Sequence, residues 1–119
     1  SVQVRHMLPR IKKVELGKIH INDDVVSNDF FLHTKGIEQL EKTHKIGKKE
    51  FERMLLHEPE IAIFGTGFKG KFTITEDVMN AAKKSSVDIH VLKTPDALKK
   101  FQEFARKGKN VVAHIHVGE

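Results

Sequence analysis

The chain has 119 residues, 39% of them hydrophobic and 31% charged, and a formal net charge of +5. That is the size and composition of one ordinary globular domain, and it excludes a disordered segment. The sequence contains no cysteine, which rules out disulfides, zinc ribbons, thiol catalysis and iron–sulfur ligation and leaves the cytoplasm as the expected location.

No apolar run approaches the roughly 20 residues needed to cross a bilayer, so no membrane association is expected. The segment 1–6 reads as an expression remnant and 7–119 as a single α/β domain. Val14, Leu16, Ile19 and Ile21 keep strand parity except across Gly17, which predicts two short strands joined at Gly17-Lys18. Asn22-Asp23-Asp24 is a second turn, and Val25-Val26 and Phe30-Phe31-Leu32 continue as β structure, so the N-terminal third reads as a β meander.

The polar, basic stretch from His33 to Lys45 reads as an ordered loop or an irregular helical turn. A helix is predicted from about 48 to 57, with Ile46 and Phe51 in staple positions, Glu50 at N3 and Pro59 as the stop. Ile61-Ala62-Ile63-Phe64 has the continuous apolar character of a strand covered on both faces, and Gly65-Thr66-Gly67 ends it in a tight turn. Phe72 and Ile74 alternate with polar neighbours, and Thr75 is a suitable N-cap for a helix over about 75–85. Residues 87–92 form the next strand. Thr94-Pro95 opens a helix over about 95–107 with a buried stripe of Leu98, Phe101, Phe104 and Ala105, and 111–117 is the last strand. The second half thus reads β-α-β-α-β, and right-handed crossovers imply a mixed, mostly parallel central sheet with flanking helices.

The segments Glu58 to Gly67, Thr94 with Ala97, and Lys109 to Val117 together resemble the domain of unknown function 498. This family also includes the human adipogenesis-associated domain protein and a mitochondrial complex I assembly factor. The resemblance runs from about Ile11 to Val117. It implies a mixed sheet flanked by helices with extra β structure, and it brings no general activity. On this resemblance Gly65, Thr66 and Gly67 correspond to the family's signature turn, Thr43-His44 to a Ser/Thr-His pair before the first helix, and Thr94 and Ala97 to the start of the last one.

Gly65-Thr66-Gly67-Phe68-Lys69-Gly70 spells the dinucleotide fingerprint, with Asp88 near the spacing of the ribose-binding acid. In that motif the helix begins within the glycines, whereas here Lys71 to Ile74 reads as β, so a structural turn or small anion nest is the better reading. A nest would use the amides of Gly65 and Gly67, the Thr66 and Thr94 hydroxyls, the free amides at the Thr94 helix start, and Lys71 or Lys93. His114 and His116 share a strand face, which His90 could join as a zinc trio, but no carboxylate in the strand completes the set. They read instead as core or pocket-lining residues together with His44, and neither metal nor cofactor is expected. Lys99, Lys100, Arg106, Lys107 and Lys109 read as a solvated helix face; without interleaved aromatic residues they argue against nucleic acid.

No nucleophile with an adjacent base and no spaced carboxylate pair suggests a catalytic centre. The sequence therefore points to a non-catalytic binding or adaptor module acting through a protein partner, with self-association as a further option. The alternative is a protein that binds a small anion or phosphorylated metabolite, or an enzyme, using the Gly65-Thr66-Gly67 turn.

Overall fold

The computed structural model describes residues 8–40 and 45–119. Thr43, His44 and the expected remnant at 1–6 lie outside the described residues. Strands β1 (Ile11–Glu15), β2 (Lys18–Ile21) and β3 (Asp24–Val26) form an antiparallel meander. Its first turn falls at Gly17, whose φ of 82° suits glycine. The predicted turns are in place, but Phe30, Phe31 and Leu32 leave the meander. They form β4 (Phe30–His33), which pairs antiparallel with the last strand in a second sheet.

That second sheet is the centre of the fold. It has five strands in the order β5-β4-β10-β7-β9, with β5 at Gly36–Gln39, β7 at Ile61–Gly65, β9 at Asp88–Leu92 and β10 at Val111–Ile115. Strands β10, β7 and β9 run parallel, while β4 and β5 are antiparallel additions. The expected loop between His33 and Lys45 thus contains a strand at the sheet edge. Its polarity misleads because an edge strand buries little, and Ile37 is its only large apolar residue. A two-stranded sheet of β6 (Lys45–Ile46) and β8 (Thr73–Ile74) completes the β structure.

Helices α1 (Lys48–Leu55) and α2 (Glu76–Lys84) cover one face of the central sheet, and α3 (Thr94–Arg106) covers the other. The Glu50 carboxylate accepts from the Gly47 amide at 3.1 Å, as the predicted capping arrangement requires. On the α3 side, Leu98, Phe101 and Ala105 pack on Ile63, Val111, Ala113 and Ile115, and Ile19, Ile21 and Val26 of the meander join the same cluster. On the other side, Phe51, Met54 and Val78 pack on Phe31, Ala62, Phe64 and Val112. Burial on both faces explains why β7 and β10 are continuously apolar rather than alternating. No described helix is long and apolar enough to cross a membrane.

Candidate functional site

Because β7 and β9 are parallel, Gly65 and Leu92 are neighbours and both chains leave the sheet at the same end. The Gly65-Thr66-Gly67 turn and Thr94 therefore meet, as the sequence suggests. Their contact differs from a capped helix start: Lys93 is the N-cap of α3, and the fully buried Thr94 hydroxyl does not cap its helix. It donates to the His116 carbonyl at 2.6 Å and accepts from the Gly67 amide at 2.9 Å. The Thr94 amide in turn donates to the Gly67 carbonyl at 3.0 Å. One hydroxyl thus joins the ends of β7, β9 and β10. Thr66 adds a second tie, its amide and hydroxyl both donating to the Leu92 carbonyl.

The remaining amides of the turn are also engaged within the chain. Phe68 donates to the Gly118 carbonyl, Lys69 and Lys71 to the Glu119 carbonyl, Gly70 to Gly67 and Phe72 to Thr66. The Lys69 and Lys71 ammonium groups lie 3.5 and 3.3 Å from the Glu119 carboxylate, and these contacts, the Lys71 hydrogen bond foremost, hold that carboxyl below its usual range. Gly67 has φ of 104°, and a Cβ there would collide with the Glu119 backbone. At Gly65 a Cβ would sit 3.2 Å from that of Ala97, so the missing side chain lets α3 approach the strand. Lys93 packs beside Gly70, and no helix follows the glycines as a dinucleotide would require. Asp88 lies at the far end of β9, paired in register with Ile61.

His114 and His116 do share a face, and both stack on Phe72, with ring centroids 5.6 and 4.3 Å away. Their environments diverge. The His116 Nδ1 lies 2.8 Å from the carboxylate of the buried Asp29, whose other oxygen accepts from the Val117 amide at 3.1 Å. His114 is fully buried against Phe31 and Phe72, and neither ring nitrogen has a hydrogen-bond partner among the described residues. Burial pushes its pKa down to about 4, the His116 charge adding to the shift and Asp29 opposing it. His90 does not join them: it lies on the α3 face against Phe104 and bonds Asp88 at 2.9 Å. Among the described residues no three metal-ligating side chains converge.

A different surface escaped the sequence reading. Leu56, at the C-terminal end of α1, is 80% exposed and separates two open grooves. One of them, of about 510 Å³, is lined by Leu8, Lys35, Leu56, Glu58 and Lys109 with the stacked pair His33 and His57, whose centroids are 4.4 Å apart. Burial, followed by the neighbouring His57, lowers the His33 pKa. No periodicity signals this groove, because its walls come from four distant parts of the chain.

Comparison with known proteins agrees with this architecture. The chain is similar in structure to the conserved hypothetical protein PH1505 of Pyrococcus horikoshii OT3, with a TM-score of 0.82, 23% identity, and 92% of this chain and 99% of that one covered. It is likewise similar to XCC1710 of Xanthomonas campestris, at TM-score 0.78, 13% identity and coverage of 92% and 85%. A Mth938-like domain protein of Bordetella pertussis gives TM-score 0.74, 13% identity and coverage of 100% and 92%. No curated protein matches the chain in sequence. Residues 11–116 match the family described as protein of unknown function (DUF498/DUF598), and the chain belongs to that family.

Proposed function

We propose that this protein is a non-catalytic adaptor or assembly module that acts through a protein partner in the cytoplasm. The supporting observation is Leu56, a large apolar side chain held 80% exposed on a helix end beside a groove. An isolated exposed leucine is ordinary, but here Leu8 lies in the same groove, with Lys35 and Lys109 contributing two positive charges against Glu58. Such a surface suits a partner segment in which acidic residues flank an apolar one. The absence of cysteine supports the reducing compartment.

The test compares wild type with Leu56→Asp in affinity purification, followed by titration of the purified partner. The variant's stability should stay within about 0.5 kcal/mol of wild type, because Leu56 contributes little to the core. Its affinity should fall at least about tenfold. Recovery of the same partner with equal affinity by both proteins would contradict the reading.

A second reading keeps some support: the Lys69 and Lys71 amides and ammonium groups already converge on oxygens of Glu119. A small anion or phosphorylated metabolite at Gly65-Thr66-Gly67, assisted by Lys71 and Lys93, would use the same donors, but it would have to displace Glu119.

A further inference from the structure

Strand β9 ends the central sheet, and its outer side pairs with no other strand among the described residues. The Asp88 amide donates to Glu60, and the Leu92 carbonyl accepts from Thr66, both on the β7 side. By alternation, the backbone groups of Ile89 and Val91 face outward. Val91 is 47% exposed, and Ile89 is only half-buried. An open edge of this kind is a template for a further strand.

The order of side chains on β9 specifies its occupant. We propose that β9 pairs antiparallel with β9 of a second copy of this chain, about a two-fold axis at Ile89, to form a ten-stranded sheet across the dimer. In this register Ile89 faces its own counterpart, Val87 faces Val91 of the other copy, and Asp88 faces His90 of the other copy, twice by symmetry. Apolar residues then meet on the helix α1 and α2 face, and on the α3 face the Asp88–His90 hydrogen-bonded pair of each chain meets the complementary pair of the other copy. Moving the axis one residue to His90 would oppose the two imidazoles and place Asp88 against Leu92, so hydrogen-bond complementarity between carboxylate and imidazole selects the first register. The contact is isologous and closes as a dimer. It does not depend on the groove at Leu56.

Because the chain has no cysteine, single-cysteine variants report the register directly. Ile89→Cys should give a disulfide-linked dimer on mild oxidation, since hydrogen-bonded antiparallel partners sit about 5.5 Å apart at Cα, within disulfide reach. Val91→Cys should stay unlinked. Sedimentation should show a concentration-dependent dimer that Val91→Pro abolishes, because proline removes only an outward donor. Asp88→His or His90→Asp alone should weaken dimerisation about tenfold, and the two together should restore it, with thermal unfolding of each variant reading monomer integrity separately. A folded protein that stays monomeric at every concentration would overturn the proposal, as would linkage of Val91→Cys in preference to Ile89→Cys.

Discussion

The two ends of the domain treat their polar groups in opposite ways. At the carboxyl end of the parallel strands, every amide from Thr66 to Phe72 has an acceptor within the chain, and a threonine hydroxyl ties three strands together. At the other end, Leu8 and Leu56 line an open groove with lysines at its margin. A glycine-rich turn after a central strand conventionally indicates a ligand site. Here the turn is closed by its own chain, and the exposed apolar surface lies elsewhere. Position in an α/β fold suggests where to look; only the hydrogen-bond partners tell whether donors are free.

The largest effect expected on the closed end comes from Gly67→Val. The new side chain would meet the Glu119 backbone and would have to adopt φ of 104°, so a loss of about 4 kcal/mol is expected in denaturant unfolding. A variant as stable as wild type would mean that the C-terminal segment is not fixed over the turn.

Acid should act next, through His114. Its pKa of about 4 in the folded chain lies below the ordinary value of 6.5, so the unfolded chain binds the extra proton first. Stability attributable to the neutral imidazole is complete above about pH 6.5 and falls by about 3 kcal/mol as the pH drops towards 4. His114→Leu should flatten that part of the stability profile and be at least as stable as wild type at pH 5, since it removes two ring nitrogens without partners. Unchanged pH dependence in the variant would place the acid sensitivity elsewhere.

A smaller loss, about 2 kcal/mol, is expected for Thr94→Val, which keeps the volume but leaves the Gly67 amide and the His116 carbonyl without their shared partner. If the hydroxyl were only a helix cap, Thr94→Val should fray helix α3 alone. In the clasp, amide exchange should instead accelerate at Gly67 as well.

The sequence was most legible where local pattern and tertiary role coincide. The apolar runs of β7 and β10 and the stripe on α3 are set by burial, and burial shows as hydrophobic pattern. Strand β5 was not legible, because Gly36 to Gln39 is polar and its pairing with β4 follows from the hairpin rather than from composition. The departure of β4 from the meander has no local signal either, since Phe30 and Phe31 read as buried strand in any sheet. At the candidate site, Gly65, Thr66, Gly67 and Thr94 could be placed at one edge from parallel topology alone. The direction of the Thr94 hydroxyl could not, because Thr-Pro before a helix is a capping signal and the tertiary contact overrides it. The bond between Asp29 and His116 spans 87 positions and follows no motif spacing.

The central claim is that the Gly-Thr-Gly turn is a structural clasp with no free donors. Its most direct test is amide NMR during titration with phosphate and then with a dinucleotide, at constant ionic strength. The account predicts that the resonances of Gly65, Gly67, Phe68 and Lys69 remain in place and that the slowly exchanging amides among them keep their protection. Saturable shifts confined to residues 65–71, with Glu119 released from the Lys69 and Lys71 amides, would contradict it and make the turn a binding site.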